Sequence, residues 1–196
     1  MFTGIVQGLA KIEDLSNGIL ILSTDLNLDD CKIGSSLSCN GVCLTLTNIN
    51  KEKEKFTLEA NVGEETMIRS NLILNINDFI NIEKSLKLGD EVSGHFVYGH
   101  VDTTTKIIDI KNFENSWEFK YEDNFKDKSF FIAEKGSISI NGISLTIANL
   151  DSNSFTISVI PHTFLNTNLK FAKINDLVNV EFDYLVRFLF NKYDNK

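Results

Sequence analysis

The sequence lacks long hydrophobic runs, an excess of basic residues and an N-terminal targeting pattern. No run of about 18 apolar residues occurs, so we expect no membrane-spanning helix. Its 196 residues include 19 Lys and Arg against 27 Asp and Glu, and the net charge of −8 argues against a nucleic-acid-binding surface. No charged region precedes an apolar stretch at the N-terminus, which predicts no secretory signal and a cytoplasmic protein.

Paired cysteines, metal-ligand spacings and nucleotide motifs are also missing. Cys31, Cys39 and Cys43 lack CxxC spacing, which favours reduced thiols over a disulfide framework or a zinc site. His95 and His100 are five positions apart without a matching third ligand, so we expect no metal. Neither GxGxxG, GxxxxGK[ST] nor GxSxG occurs, so dinucleotide, NTP and α/β-hydrolase functions lack support.

The sequence does contain an internal repeat with a period near a hundred residues. Four pairs of segments match in the same order: residues 4–15 with 99–110, 36–45 with 137–146, 65–72 with 162–169, and 76–83 with 174–181. This period is too long for a solenoid or a propeller blade. We therefore predict two tandem domains of one fold, residues 1–95 and 96–193. Two similar binding sites in one protein suit a reaction between two similar molecules.

Each half contains about six short segments with the alternating, β-branched and aromatic composition of strands. Six strands are enough to close a small barrel and to remove exposed sheet edges. After Asp183 the apolar period becomes helical, which predicts a short amphipathic helix over about 184–196 with little core of its own. The pattern leaves open whether this helix packs on neighbouring subunits or on its own barrel.

Two equivalent Asn-Gly turns precede the first candidate site residues. Because side chains alternate along a strand, Cys43 and Thr45 share one face after the first turn, as do Ser144 and Thr146 after the second. Each domain thus offers a thiol or hydroxyl pair to a ligand rich in carbonyl and ring-nitrogen groups. Asn-Gly also marks ordinary hairpins, and a buried cysteine is often inert packing. The recurrence at equivalent positions favours the functional interpretation.

The two copies differ at positions that change their chemistry. His100 stands where the first copy has Ile5, and an imidazole is the usual proton acceptor near neutral pH. Lys135 stands where the first copy has Gly34, and its side chain is either a cation of the site or an ordinary surface charge. Asp183 ends the second copy and is either a site residue or the N-cap of the tail helix.

Pro161 is the only proline of the chain and lies within residues 158–163, equivalent to residues 61–66 of the first copy. Proline has no N–H and is confined to strand edges and irregular strand ends. Unpaired main-chain groups in this segment are candidates for contacting the edge of a heterocycle.

Four segments, MFTGIV (residues 1–6), NGVCLT (40–45), GHVD (99–102) and NGISLT (141–146), together closely resemble riboflavin synthases of the trimeric α-chain type. The resemblance spans essentially the whole chain. It implies an all-β fold of two tandem six-stranded Greek-key β-barrels with a short C-terminal helix that joins a homotrimer. It implies the final step of riboflavin biosynthesis: dismutation of two 6,7-dimethyl-8-ribityllumazine molecules to riboflavin and 5-amino-6-(D-ribitylamino)uracil. The resemblance also implies that this four-carbon transfer uses no metal or cofactor. Association with lumazine synthase is a further expectation.

The same resemblance supplies the site residues, with one lumazine per barrel and an active site that joins the first barrel of one subunit to the second barrel of a neighbour. First-barrel substrate contacts are expected at Gly4, Ile5, Val6, Cys43, Leu44, Thr45, Asn61, Val62, Gly63, Glu64, Glu65 and Thr66. Second-barrel contacts are expected at Gly99, His100, Val101, Lys135, Ser144, Leu145, Thr146, Ser158, Val159, Ile160, Pro161, His162 and Thr163. The catalytic candidates are His100, Ser144, Thr146, Cys43, Lys135 and Asp183.

In this interpretation, His100 helps to remove a proton from the acidic 7-methyl group of one lumazine, while hydroxyl groups orient a nucleophile that adds to the other. We expect the first barrel to bind lumazine more tightly and the second to supply more of the proton transfer.

Two alternative functions are weighed against this one. Lumazine proteins of luminous bacteria resemble this fold, hold one fluorophore as an optical antenna and do no chemistry. Such a protein should have lost the polar candidate residues of the second barrel. This chain retains all of them: His100, Lys135, Ser144, Thr146 and Asp183. A flavin-binding barrel of the reductase type lacks support because no nicotinamide-binding βαβ half follows.

Overall fold

The structure is a computed structural model that describes residues 1–72, 78–125 and 131–193. The first half contains β1 (Gly8–Ser16), β2 (Ile19–Thr24), β3 (Ser36–Cys39), β4 (Val42–Glu52), β5 (Lys55–Asn61), helix α1 (Glu64–Arg69) and β6 (Phe79–Lys84). The second half contains β7 (Thr103–Phe113), β8 (Ser116–Glu122), β9 (Ser137–Ile140), β10 (Ile143–Leu150), β11 (Ser154–Val159), helix α2 (Pro161–Asn166), a 3-10 helix (Asn168–Phe171), β12 (Leu177–Phe182) and helix α3 (Tyr184–Tyr193).

Each half closes into a barrel of six antiparallel strands. The strand order is β1-β2-β5-β4-β3-β6 in the first barrel and the equivalent β7-β8-β11-β10-β9-β12 in the second. In both, the fourth strand of the half lies between the third and the fifth, and the sixth closes the barrel onto the first. The predicted pair of tandem six-stranded Greek-key barrels is confirmed.

Alternating burial along the strands fills the barrel interiors. In β4, the side chains of Val42, Leu44 and Leu46 point inward, whereas Cys43 is half-buried and Thr45 exposed on the outer face. The first core is mainly aliphatic, and the second contains the buried rings Phe119, Tyr121, Phe125, Phe155 and Phe182. Each fully buried side chain of this size contributes about 1.5–3 kcal/mol to stability. Because the interiors are packed, ligand sites are to be sought on the outer faces.

The two barrels meet at their Asn-Gly turns. Asn40 and Gly41 have φ angles of 47° and 80°, and Asn141 and Gly142 have 47° and 76°. Positive φ at both central residues is the requirement of a type I′ hairpin turn, which Asn-Gly satisfies best. The turns also touch, since a Cβ on Gly41 would lie 2.7 Å from the Gly142 nitrogen. Glycine is thus needed here both for conformation and for the approach of the domains.

Four buried asparagines bind the turns reciprocally. Asn179 Nδ2 donates to the Asn40 carbonyl at 2.8 Å, and Asn81 Nδ2 donates to the Asn141 carbonyl at 3.0 Å. Within each barrel, Asn40 Oδ1 accepts from Asn81 N at 2.9 Å, and Asn141 Oδ1 accepts from Asn179 N at 2.8 Å. Equivalent residues make equivalent bonds, so the two barrels are related by a pseudo-twofold axis between the turns.

The first residues of each half cross to the opposite barrel. Phe2 N donates to Val97 O at 2.7 Å, and Val97 N donates to Phe2 O at 3.0 Å, with both side chains buried. Beyond this pair, Val6 packs against the core of the second barrel and Val101 against that of the first. The division into domains of residues 1–95 and 96–193 is based on the repeat and stays a prediction. The two crossing segments, residues 2–6 and 97–101, each belong to one domain by this division and pack on the barrel of the other.

Helix α3 follows the second barrel at the predicted place, and residues 194–196 of the predicted helix lie outside the described residues. Asp183 Oδ1 accepts from Leu185 N at 2.9 Å, which is the N-cap role considered for it. The Tyr184 ring lies 4.9 Å from the ring of Tyr98. The side chains of Leu185, Phe188 and Leu189 remain exposed. Among the helices of the described ranges, none has the length and apolar character needed to span a membrane.

The contact between the turns predicts a position-specific effect of adding one methyl group. Gly89 has a φ of 96° with open space around its Cβ position, so Gly89→Ala should cost only the left-handed penalty of about 1–2 kcal/mol. Gly41→Ala should cost clearly more in the free energy of unfolding, because the added methyl group also forces the Gly142 backbone away. Urea unfolding of both variants measures the difference. Equal losses would show that the turns are not in contact.

Candidate functional site

The crossing segments bring candidate residues of the two repeats together. Cys43 N donates to Gly99 O at 2.9 Å, and Ser144 N donates to Gly4 O at 2.8 Å. Both glycines have positive φ, and a Cβ on Gly99 would lie 2.5 Å from Cys43 Cβ, as one on Gly4 would lie 2.6 Å from Ser144 Cβ. No other residue type fits this conformation and this approach without displacing its neighbour. The outer faces of β4 and β10 therefore each carry a crossing segment.

The first pocket lies between β4, α1 and residues 99–101 and has a volume of about 250 Å³. Its lining residues come from both repeats: Val42, Cys43, Glu65, Thr66, Arg69, Ser70, Gly99, His100 and Val101. At the rim, Arg69 Nε lies 2.9 Å from Glu65 Oε1, an exposed pair one helical turn apart. Val42, Arg69 and Ser70 were not among the expected contacts, although Arg69 and Ser70 lie only three and four residues after the expected segment 61–66.

The expected assignment of two segments to barrels is wrong. We assigned residues 4–6 to the first-barrel site and residues 99–101 to the second. In the structure residues 4–6 lie against Ser144 and the second core, and residues 99–101 lie against Cys43 and the first core. The assignment assumed that each segment stays with the barrel it precedes. The pairing of Phe2 with Val97 carries both segments across the pseudo-twofold axis instead.

The second site repeats this arrangement around Ser144. Helix α2 follows β11 as α1 follows β5, and Pro161 is its first residue, where its missing N–H removes no hydrogen bond. Asn166 Nδ2 donates to His162 O at 2.8 Å, so a histidine–asparagine pair stands where the first rim has Glu65 and Arg69. Ile5 also borders a polar cavity of about 360 Å³.

A histidine that the sequence analysis considered only as a metal ligand contacts Ser144. His95 Nδ1 lies 2.7 Å from Ser144 Oγ. Burial lowers the pKa of His95, and the negative charge of Asp183 opposes this shift. A neutral imidazole bonded to a hydroxyl group is the arrangement of a general base with its partner. His95 belongs to the join between the two copies and lies outside the matched segments of the repeat, so the repeat gave no signal for it.

The remaining predicted residues divide by exposure. Four have side chains that are buried inside the barrels and can contact a ligand only through their main chain: Leu44, Val62, Leu145 and Val159. Others are exposed around the two sites: Thr45, Asn61, Gly63, Glu64, Thr146, Ser158 and Ile160. Thr163 is half-buried in α2. Asp183 combines its N-cap role with its effect on His95. The described residues contain no group of three or more His, Cys, Asp or Glu that could hold a metal ion.

Lys135 occupies a strained position beside the second site. Its φ is 68°, and its N–H donates to Ile147 O at 2.8 Å, directly after Thr146 in β10. The equivalent Gly34 has a φ of 91° and makes the same bond to Leu46 O. A non-glycine residue in this region costs free energy, and such strain is common at functional sites.

Comparison with known proteins agrees with this architecture. The family model described as "Lumazine binding domain" matches residues 3–85 and again residues 98–183, so the chain carries two lumazine-binding domains. The solved structure of LumP complexed with riboflavin has a similar fold, with a TM-score of 0.80 and 21% identity over 93% of this chain and 99% of that chain.

Relatives of higher identity carry one name, riboflavin synthase. That of Buchnera aphidicola subsp. Schizaphis graminum is 38% identical over 96% of this chain and 92% of its own length. That of Actinobacillus pleuropneumoniae is 37% identical over 98% of this chain and 91% of its own length. That of Escherichia coli is 37% identical over 93% of this chain and 87% of its own length. The chain belongs to the riboflavin synthase family, and the enzyme interpretation is confirmed over the antenna and reductase alternatives.

The strain at Lys135 predicts a separation of stability from activity. In Lys135→Gly, relief of left-handed strain worth about 1–2 kcal/mol is opposed by the unfolded-state entropy of glycine, about 0.5–1 kcal/mol, so the free energy of unfolding should rise by about 0–1.5 kcal/mol. Turnover of the variant should fall, since the cation beside the second site is lost. Gly34→Lys is the matched control, and because the same two contributions apply with opposite sign, its free energy of unfolding should fall by about 0–1.5 kcal/mol. Unchanged turnover in Lys135→Gly would leave this lysine as a surface charge.

Proposed function

We propose that this chain catalyses the dismutation of two 6,7-dimethyl-8-ribityllumazine molecules to riboflavin and 5-amino-6-(D-ribitylamino)uracil. The observation that carries the proposal is the pair of equivalent sites, each built from both repeats and each with a different polar residue at the same place, Cys43 or Ser144. One lumazine donates a four-carbon unit and an identical one accepts it, so the reaction needs two sites of like shape and unlike chemistry. The two products together contain all atoms of the two substrates.

The polar groups assign separate tasks to the two sites. His100 lines the first pocket, so a lumazine bound there has an imidazole available to accept a proton from its acidic 7-methyl group. In the second site, His95 Nδ1 lies within hydrogen-bond distance of the Ser144 hydroxyl group. In the tautomer whose Nδ1 carries no proton, the imidazole accepts the hydroxyl hydrogen and makes this oxygen a better nucleophile or a better orienting group for one. From the sequence we expected the second barrel to supply more of the proton transfer. The crossing of residues 99–101 moves His100 to the first.

Rigid placement of the two substrates supplies much of the remaining acceleration. Effective molarities of well-oriented reactants reach about 10⁵ M or more. The site residues stand on β4, β10 and the crossing segments, which main-chain hydrogen bonds hold in place. The substrate ring systems would lie against the outer faces of these strands, where Thr45 and Thr146 add further hydroxyl groups.

The purified protein, supplied only with 6,7-dimethyl-8-ribityllumazine and EDTA, should form riboflavin, which its absorbance reports.

His95→Gln and Ser144→Ala should each lower kcat by about 10²- to 10⁴-fold, and the double variant should be little worse than either, because the two residues act as a unit. Since burial lowers the pKa of His95, the neutral form prevails at pH 7, and kcat should fall only below the usual histidine range near about 6.5. This acid limb should disappear in His95→Gln. Lumazine binding without turnover by the wild type would contradict the proposed function.

We further propose a homotrimer whose active sites lie between subunits. The exposed apolar residues Leu185, Phe188 and Leu189 of α3 support an interface there. Ile68 on α1 and Leu165 on α2, at equivalent positions beside the two sites, are 83% and 59% exposed, as expected of rims that a neighbouring subunit covers. A cytoplasmic location and an association with lumazine synthase stay predictions.

Mixed subunits test this architecture. Cys43→Phe should fill the first pocket and Ser144→Phe should obstruct the second site, so each variant alone should be inactive. When the two variants are mixed and reassembled, about a quarter of wild-type activity should return. With random assortment of subunits, about a quarter of the interfaces pair an intact first site with an intact second site. Light scattering gives the mass of the assembly. Deletion of the residues after Asp183 should lower this mass below that of a trimer, because the proposed contacts of α3 are lost. No recovery despite demonstrated subunit exchange would mean that both sites of one reaction belong to the same chain.

A further inference from the structure

Two buried glutamates occupy equivalent positions near the ends of the strands that close the barrels. Glu83 in β6 and Glu181 in β12 are each only 4% exposed. Neither forms an ion pair with a described Lys, Arg or His residue. A buried carboxylate without such a partner is costly unless hydrogen bonds compensate it. The repeat matches the two residues, but neither has a part in the function described so far.

Both carboxylates bind successive main-chain N–H groups of a crossing segment. Glu181 accepts from Tyr98 N at 2.7 Å, Gly99 N at 2.9 Å and His100 N at 3.1 Å. Glu83 accepts from the equivalent residues of the other segment: Thr3 N at 2.8 Å, Gly4 N at 3.0 Å and the Thr3 hydroxyl at 3.0 Å. Hydrogen bonds to an ionised acceptor are about twice as strong as neutral ones.

The chemistry of the contacts requires a carboxylate. Only an ionised Asp or Glu side chain offers two oxygens that accept several N–H bonds and carry no donor. A glutamine in the same place would turn its own NH₂ group toward one of the N–H groups. Burial raises the pKa of both carboxyls, and the main-chain N–H bonds oppose this shift. The negative charge of Asp102 raises the pKa of Glu181 further, while the neutral Gln7 stands at the equivalent position of the first copy.

The residues held in this way form the walls of the two sites. Gly99 rests on Cys43, and His100 lines the first pocket. Gly4 rests on Ser144 in the second site. Each glutamate therefore belongs to one barrel by sequence and fixes a segment that completes the site on the other barrel.

We propose that Glu181 and Glu83 are positioning residues: Glu181 holds Gly99 and His100 at the first pocket, and Glu83 holds Gly4 and Ile5 at the second site. The effect on turnover rests on the proposed function, whereas the effect on ligand binding and main-chain geometry does not. Neither glutamate contacts the substrate in this proposal.

The experiment uses full-length wild type, Glu181→Gln and the matched variant Glu83→Gln. Tyr-Gly and Thr-Gly each occur once in the chain, so ¹⁵N-glycine combined with ¹³C-carbonyl tyrosine or threonine identifies the amides of Gly99 and Gly4 unambiguously. In Glu181→Gln the Gly99 amide proton should shift upfield, as a charge-assisted bond is lost, and the Gly4 amide should stay in place. Glu83→Gln should give the reverse.

Titration with riboflavin, followed by the change in its fluorescence, should show the same selectivity between the two sites. Glu181→Gln should weaken one class of site by about 10- to 100-fold, the range known for removing groups that orient the ligands of metal sites, and Glu83→Gln should weaken the other class. In Glu181→Gln, kcat should fall with the displacement of His100. Should this variant not fold, Glu181→Asp keeps the charge on a side chain one methylene shorter, and the same measurements apply.

Displacement of both glycine amides in each variant, or equal weakening of both sites, would reduce the glutamates to general contributors to folding and overturn the proposal. So would a shifted Gly99 amide with unchanged affinity at every site. Failure of the proposed function has a different signature: the wild type would form no riboflavin, while the site-selective amide shifts and affinities would persist.

Discussion

The reciprocal pairing of Phe2 with Val97 determines what each site contains. Its two main-chain hydrogen bonds contribute only about 0.5–1.5 kcal/mol each, but both side chains are fully buried and fix the direction in which the chain continues. From this pair, one segment runs onto β10 and the other onto β4. Each site consequently needs both repeats, and a single lumazine-binding domain in isolation would lack one wall of its pocket.

The contact between the Asn-Gly turns imposes similar shapes on the two sites. Because the asparagine bonds are reciprocal, any displacement of one turn relative to the other strains equivalent contacts on both sides. Networks of buried polar groups favour one arrangement over its alternatives when their members find partners. Chemical difference between the sites then comes from individual side chains, such as Cys43 against Ser144 and His100 against Ile5, rather than from a different fold.

The barrels were predictable because their signals are local. Alternation along β4 shows which side chains enter the core, and the Asn-Gly pairs specify the hairpins that position Cys43 and Ser144. The sites were only partly predictable, since sequence order does not say on which barrel residues 4–6 or 99–101 pack. The buried positions of Leu44 and Leu145 follow from the same alternation, which shows that a match to a family segment does not place every side chain of that segment at the ligand.

His95 shows a further limit of inference from a repeat. A duplicated chain has two sites but only one join, so a residue of the join can serve one site alone. His95 reaches Ser144 because Gly94, beside it, passes so close to that serine that a Cβ there would lie 2.7 Å from Ser144 Cβ. The matched segments of the repeat begin at Gly4 and Gly99, so His95 lies outside them. His95 thus places an imidazole beside Ser144 in the second site, and two domains of one fold acquire the unequal chemistry that a donor and an acceptor require.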